Sequence, residues 1–142
     1  MTLRTATFAE LDPATLYELL RLRVDVFVVE QRCPYPELDG RDTEPTARHC
    51  WIEEDGEVKA VARVLVDPDG VARIGRVATR PDARGRGLAE RLIRHALTLV
   101  DGPVRLSAQS HLADYYARFG FVVDGDEFVE DGIPHVPMRL DR

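Results

Sequence analysis

The chain has 142 residues with 44% hydrophobic and 31% charged side chains and a net charge of −6, which predicts one globular domain over residues 1–142. No apolar run approaches the roughly 18 residues of a membrane helix, and the N-terminus has no apolar signal core, so we expect a cytoplasmic protein without membrane contact. The acidic balance argues against broad nucleic-acid binding, because such proteins usually carry a basic surface.

The first third of the chain predicts a strand, a helix and a loop. Residues 3–8 have the composition of a short strand, and Asp12-Pro13 marks a helix start, because aspartate caps a first turn and proline suits it. Residues 24–30 are rich in β-branched side chains, yet their apolar spacing fits a helical face, and we expect the helix to continue there. Residues 33–47 form a polar loop, of a length that is often functional.

The middle of the chain predicts three strands and a well-defined helix. Strands at 49–53 and 57–66 are joined by a hairpin turn at Asp55-Gly56, and a strand at 71–79 pairs antiparallel with the second of them. Apolar residues four apart form two neighbouring rows over residues 88–100, which is typical of an amphipathic helix.

The last third of the chain predicts more strands around one helix. We expect a strand at 104–108, a helix from Ser110 to Phe119 with Ser110 as its cap, and strands at 121–128 and 134–140 around the turn at Asp131-Gly132. Strands and helices do not alternate strictly, so the whole pattern predicts an α+β fold with an antiparallel half to its sheet.

The two cysteines and the charge distribution give weaker signals. Cys33 and Cys50 have no metal-ligand spacing around them, so we interpret both as buried or incidental thiols and expect no metal.

Arginines crowd around residues 73–94, whereas acidic residues dominate 39–57 and 124–131. An anionic cofactor and a cationic substrate would suit this division, although an ordinary solvated surface explains many of the charges.

The most informative motif is a turn between a predicted strand and a predicted helix. Its glycines let a ligand approach the backbone, the N–H groups of the next helix start have no internal partner, and its arginines match phosphate oxygens. A dinucleotide turn would need a third glycine and a P-loop would need Gly-Lys-Ser/Thr, and both are absent. The turn therefore predicts a diphosphate site, with a plain connector as the alternative; it consists of Arg84, Gly85, Arg86, Gly87, Leu88 and Ala89.

A second motif follows the turn at Tyr115-Tyr116-Ala117-Arg118-Phe119-Gly120-Phe121. This motif and the Arg-x-x-Gly-x-Ala pattern of Arg84, Gly87 and Ala89 resemble, in order and spacing, two motifs of the GNAT acyl-CoA-dependent N-acetyltransferase superfamily. Further segments resemble its ElaA-like branch, so that nearly the whole chain is covered: 19–31, 33–35, 38–40, 109–112 and 130–135.

The resemblance implies a fold and a reaction. The fold would be a GNAT-like mixed, largely antiparallel central sheet flanked by helices, which binds acetyl-CoA as acyl donor. The reaction would be direct attack by the primary amine of a small molecule or peptide within a ternary complex, and a homodimer is compatible with it. A CoA-binding or sensor module without chemistry is the alternative, and a nucleotide-binding domain is a third interpretation.

The resemblance also implies the residues that bind the cofactor. Val77, Ala78 and Thr79 match the strand whose backbone pairs with the pantetheine arm, although ordinary sheet pairing would use the same groups. The Arg84–Ala89 turn matches the pyrophosphate loop. Gln109 stands where many relatives have an asparagine that contacts the cofactor, with a surface role as its alternative.

The catalytic acid is implied at Tyr116, because a tyrosine with a pKa near ~10 can protonate a departing thiolate. Packing in the core is the alternative for Tyr116 and the favoured role of Tyr115. The usual base, a glutamate on the strand before the turn, is absent from residues 73–76. We rank Glu30 and His135 first among the replacements, which are Glu30, Asp39, His49, His111 and His135.

Overall fold

A computed structural model describes residues 1–142 and places eight strands in one sheet. The order across the sheet is β1-β2-β3-β4-β5-β8-β6, and β7 also pairs with β8. Only the β4–β5 pair is parallel, so the predicted α+β fold with a mixed, largely antiparallel sheet is confirmed. In chain order the strands are β1 (Thr2–Ala6), β2 (Arg48–Glu54), β3 (Glu57–Val66), β4 (Ala72–Thr79), β5 (Val104–Gln109), β6 (Val122–Val123), β7 (Phe128–Glu130) and β8 (Ile133–Leu140).

Helices flank the sheet. The longer ones are α1 (Pro13–Val24), its π-helical continuation (Asp25–Glu30), α2 (Leu88–Thr98) and α3 (Ala113–Ala117). Asp12 caps α1 as predicted, since its Oδ1 accepts a hydrogen bond from the Thr15 N–H at 2.8 Å. No helix combines the length and the apolar character that crossing a membrane requires.

Two predicted elements differ in the structure. Ser110 does not cap a helix, because its hydroxyl donates to Glu127 at 2.8 Å, and the chain forms a single 3₁₀ turn before α3, which ends at Ala117. The strand predicted at 121–128 is reduced to the short β6 and β7, since turn-forming Asp124, Gly125 and Asp126 interrupt it.

The core lies on both faces of the sheet. The apolar rows of α2 pack on one face, where Leu92, Ile93 and Ala96 are completely buried. On the other face Leu19 and Leu22 of α1 pack in a second cluster with residues of β2, β3 and β4. The sheet is therefore covered by helices on both sides, which fixes the positions of the strands that carry the site.

A buried ionic cluster connects α1 to the loop between residues 31 and 47. The Arg23 guanidinium is 2% exposed and donates to Glu37 and to Asp42, each at 2.7 Å. Arg63 of β3 donates to the same Asp42 oxygen at 3.0 Å, and His49 contacts the Asp42 carbonyl at 3.0 Å. Burial raises the pKa of Asp42, but the hydrogen bonds and charge of Arg23 outweigh it and leave that pKa below its usual value.

Removing Arg23 is expected to destabilise the fold strongly, because it leaves the buried Glu37 and Asp42 short of a cation. We expect Arg23→Met to lower the free energy of unfolding by about 3 kcal/mol in urea denaturation. Arg21→Met is the matched control, since Arg21 lies on the same helix with its side chain 60% exposed, and its effect should stay within about 0.5 kcal/mol. A loss below about 1 kcal/mol for Arg23→Met, the size expected of a surface pair, would contradict this role.

Candidate functional site

The candidate site is a cavity of about 440 Å³ beside the only parallel strand pair. β4 and β5 pair at Ala72–Val104 and Arg73–Arg105 and then diverge. From Ile74 to Thr79, β4 therefore has no strand neighbour on that side. Side chains from β4, β5, α3, the β7–β8 hairpin and the loop after the π-helical turn line the opening.

A β-bulge turns the backbone of β4 at the cavity. Arg63 pairs with Gly75 and Val61 with Ala78, so two residues of β4, Arg76 and Val77, lie opposite one residue of β3. Arg76 has a φ of 52°, a left-handed conformation that is uncommon for a residue other than glycine. Such bulges redirect side chains and end regular pairing. The strand can therefore present its side chains and its unpaired backbone groups to a ligand.

The predicted cofactor strand follows the bulge. Val77 lines the cavity, whereas the Ala78 side chain is buried in the core. The Thr79 carbonyl accepts a hydrogen bond from Arg84 Nε at 3.1 Å, which ties the end of β4 to the turn after it. The backbone edge of this segment faces the gap between β4 and β5, where an extended ligand could pair with it.

The turn before α2 depends on two glycines. Gly85 and Gly87 have φ values of 77° and 74°, and a Cβ at either position would meet no atom within 4 Å. Glycine is therefore favoured there by backbone conformation and not by crowding. Gly87 precedes α2 without a side-chain cap, so the N–H groups of the first turn at Leu88 and Ala89 are available to an anion.

Both arginines of the turn are paired with carboxylates. Arg84 donates two hydrogen bonds of 2.6 Å to Glu30, at the end of the π-helical turn, and Arg86 donates to Glu54 at 2.7 Å. The hydrogen bonds from Arg84 lower the pKa of Glu30. Glu30 lies outside the cavity, so the structure separates this predicted base from Tyr116 and His135.

Tyr116 of α3 lines the cavity and also packs against the core. Its position is therefore compatible with both predicted roles, the catalytic acid and a packing residue. Its ring meets those of Tyr115 and Phe121 edge-on, with centroids 5.3 and 6.4 Å away. The hydroxyl makes no hydrogen bond within the protein. Burial, and then the neighbouring Tyr115, raise the pKa of Tyr116 to about 12, so the hydroxyl is protonated at neutral pH and can donate.

His135 of β8 lies directly opposite Gln109 of β5, and both line the cavity. Its Nδ1 is 2.7 Å from the Ile133 carbonyl oxygen, which can only accept, so Nδ1 carries the proton. The Nε2 atom of the neutral ring then has a free lone pair. Phe128 stacks on the imidazole at 5.6 Å, and the Gln109 amide donates to Gln31 at 3.1 Å.

The other predicted bases lie in less suitable places. Asp39 lines the cavity, but although burial raises its pKa, hydrogen bonds from Arg63 and the Arg41 N–H hold that pKa well below its usual range. His49 is buried in the ionic cluster, where burial lowers its pKa, and His111 is exposed outside the cavity. No group of three or more His, Cys, Asp or Glu side chains is arranged to hold a metal ion.

The sequence analysis missed the arginines of the cavity wall. It counted them only in the basic group that would suit an anionic cofactor at the turn and noted that residues 73–76 lack a carboxylate, yet Arg73, Gly75 and Arg76 all line the cavity. Cys33, which we interpreted as buried or incidental, is buried, also lines the cavity, and contacts the Asp131 carbonyl at 3.4 Å. The sequence did contain a signal, which was Gly75 within a predicted strand with Arg73 and Arg76 on either side of it.

Comparison with known sequences gives consistent matches. Residues 21–142 match the acetyltransferase (GNAT) domain family. The chain is 55% identical over 141 residues to a UPF0039 protein of Mycobacterium tuberculosis, covering 96% of this chain and 90% of that protein. It is 40% identical over 137 residues to the protein ElaA of Escherichia coli, covering 92% and 90%.

Comparison with solved structures agrees. An acyl-CoA N-acyltransferase from Pseudomonas aeruginosa superposes with a TM-score of 0.92 at 44% identity, covering 98% of both chains. The crystal structure of Escherichia coli ElaA gives a TM-score of 0.92 at 37% identity, covering 99% of both chains.

The tautomer of His135 can be measured directly. Because Nδ1 donates to the Ile133 carbonyl, we expect ¹⁵N-detected NMR of the histidine side chains to show neutral His135 with its proton on Nδ1. His135→Gln identifies the signal, and His111→Gln serves as the matched control. A ring protonated on Nε2 would contradict this geometry and leave no lone pair for the cavity.

Proposed function

The chain belongs to the acetyltransferase (GNAT) family, and from this premise we propose that it transfers an acetyl group from acetyl-CoA to the primary amine of a small molecule or peptide. One observation carries the proposal: Tyr116, whose hydroxyl is protonated and unbonded, and His135, whose Nε2 is free, line the same cavity where β4 and β5 diverge. A cytoplasmic location and a homodimer stay predictions.

The elements beside the cavity suit the parts of acetyl-CoA. The unpaired edge of β4 at Val77, Ala78 and Thr79 offers backbone groups to the pantetheine arm, whose amides pair like a strand. The Arg84–Ala89 turn offers free N–H groups at the start of α2 to the pyrophosphate, while Arg84 and Arg86 are held beside it by Glu30 and Glu54. The Gln109 amide lies at the end of β5, within reach of the same gap.

The reaction follows from the two polar groups. The acceptor is an ammonium with a pKa near ~10.4, and His135 Nε2 takes one of its protons, directly or through water. The amine nitrogen then attacks the thioester carbonyl carbon, and the carbon–sulfur bond breaks. Tyr116 protonates the departing sulfur, and its phenolate oxygen takes the surplus proton of the new amide nitrogen, so that a neutral amide and a free thiol are formed. Surroundings that raise the pKa of Tyr116 also raise that of a thiol beside it, so the gap between donor and acceptor stays small.

The alternative is a CoA-binding or sensor module without chemistry, favoured by the missing carboxylate on β4. The lone pair of His135 supports the enzyme instead, because it supplies a base at the cavity that the strand does not. Release of thiol from acetyl-CoA across a panel of amines distinguishes the two, since a sensor binds CoA and releases none.

Two substitutions test the catalytic pair. Tyr116→Phe and His135→Gln should each keep acetyl-CoA affinity in calorimetry and lower turnover by about 100-fold, because each removes one proton-transfer group. Tyr115→Phe and His111→Gln are the matched controls and should change turnover less than threefold. Unchanged turnover in Tyr116→Phe would exclude Tyr116 as the catalytic acid. A loss in Glu30→Gln equal to that in His135→Gln would move the base to Glu30.

Substitution of the turn glycines tests the cofactor loop. Gly87→Ala puts a Cβ on a residue at positive φ and should cost about 1 kcal/mol of stability. It should also weaken acetyl-CoA binding about tenfold in calorimetry, since the N–H groups of the turn shift. Gly70→Ala, at a φ of 87° in the β3–β4 turn with equally open surroundings, is the control and should lose only stability. Equal affinity in both variants would exclude the turn as the phosphate site.

A further inference from the structure

The wall of the cavity contains an open space on β4 that the proposed chemistry does not use. Gly75 lies between Arg73 and Arg76, lines the cavity, and would meet no atom within 4 Å if it carried a Cβ. The bulge at Arg76 puts its side chain among the partners of Arg63, on the face to which Arg73 also points. A glycine floor between two guanidinium groups leaves room for a small planar group.

Both guanidinium groups keep N–H donors that the protein does not use. Arg73 donates through Nε to Asp67 and through Nη1 to Ser107, which leaves Nη2 without an acceptor. Arg76 donates through Nε and Nη2 to Glu37 and Asp39, which leaves Nη1 without one. Arg63, only 5% exposed, has a buried Nε with no partner at all. The donors of this wall therefore outnumber its acceptors.

The charges of the wall are already balanced, so an arriving anion meets no excess negative charge. Two clusters of ion pairs hold its arginines, each with three arginines and three carboxylates. One consists of Arg23, Arg63, Arg76, Glu37, Asp39 and Asp42, and the other of Arg41, Arg73, Arg105, Glu44, Asp67 and Asp69.

The opposite wall has unpaired negative charge. Glu130 and Asp131, at the tip of the β7–β8 hairpin, line the cavity, and neither carboxylate forms an ion pair. They attract an ammonium group, and His135 follows them on the same hairpin. The cavity thus offers carboxylates to a cation at one wall and spare guanidinium N–H groups to an anion at the other.

We infer that the acceptor is an amino carboxylate, such as a free amino acid, whose carboxylate binds over Gly75 between Arg73 and Arg76. This inference rests on the proposed function and names the substrate class of the same site. A carboxylate has two oxygens, one for each of the free nitrogens Arg73 Nη2 and Arg76 Nη1, and it brings less negative charge to the balanced clusters than a phosphate would. Arg73 and Arg76 are then specificity residues.

Matched acceptors test the substrate class. Thiol release from acetyl-CoA is measured with L-amino acids and with their α-amides, which keep the amine and lose the carboxylate. We expect the amino acids to be used with a kcat/KM at least about tenfold higher, the effect of hydrogen bonds to a charged group. The α-ammonium group of an amino acid amide loses its proton more easily than that of the amino acid. In the absence of a carboxylate site, the amides would therefore be the better acceptors. Equal or better use of the amides would overturn the inference.

Matched variants test the residues. Arg73→Gln should raise the KM for amino acids at least about tenfold and leave the KM for acetyl-CoA unchanged. Arg105→Gln is the control, because Arg105 is the register partner of Arg73 and shares Asp67 with it, yet lies outside this cavity. Gly75→Val fills the space while both arginines stay, and should act like Arg73→Gln. Equal effects of Arg73→Gln and Arg105→Gln would overturn the assignment.

A binding measurement separates the two proposals. If acetyl-CoA binds but no amine of either kind releases thiol, the proposed function fails. Calorimetry with L-amino acids on the CoA-loaded protein then decides the inference by itself. Binding that is lost in Arg73→Gln and Gly75→Val, and kept in Arg105→Gln, supports the carboxylate site. Absent binding, or equal binding in all variants, overturns it.

Discussion

The buried Arg23 guanidinium is the contact on which the site depends. It holds Glu37 and Asp42 of one loop against α1, and through Arg63 and Arg76 the same acids are joined to β3 and β4. Breaking any one of these ion pairs leaves a buried charge without its partner, which is strongly unfavourable. The loop therefore detaches from the sheet only if all of these contacts break together. The wall of the cavity is consequently rigid on the side that we assign to the acceptor.

The regular parts of this structure were predictable because their signals are local. The apolar rows of α2, the Asp12 cap and the Asp55-Gly56 hairpin each arise within a few residues, and the structure confirms them. The α+β class followed from the order of such elements. The Arg84–Ala89 turn was also visible, since left-handed backbone such as that at Gly85 and Gly87 favours glycine whatever lies around it.

The missed features are contacts between distant residues, which leave no periodic trace in a sequence. Glu30 and Arg84 are 54 residues apart, and Glu37 and Arg76 are 39 apart. The loop at 33–47 resembled solvated chain because its acids are polar, yet two of them are buried against arginines. Gly75 inside the predicted strand hinted at a bulge, but the direction of the Arg76 side chain followed only from the pairing of β4 with β3.

The last strand in chain order lies inside the sheet and not at its edge. β8 pairs with β5 on one side and with β6 and β7 on the other, and it carries His135. Since β8 follows the other seven strands along the chain, the half of the sheet around the cavity closes only after β8 has been synthesised. Until then β5, β6 and β7 expose unpaired edges that invite aggregation. A chain truncated before residue 133 therefore lacks the strand that joins β5 to β6 and β7, and is not merely a weaker form of the same protein.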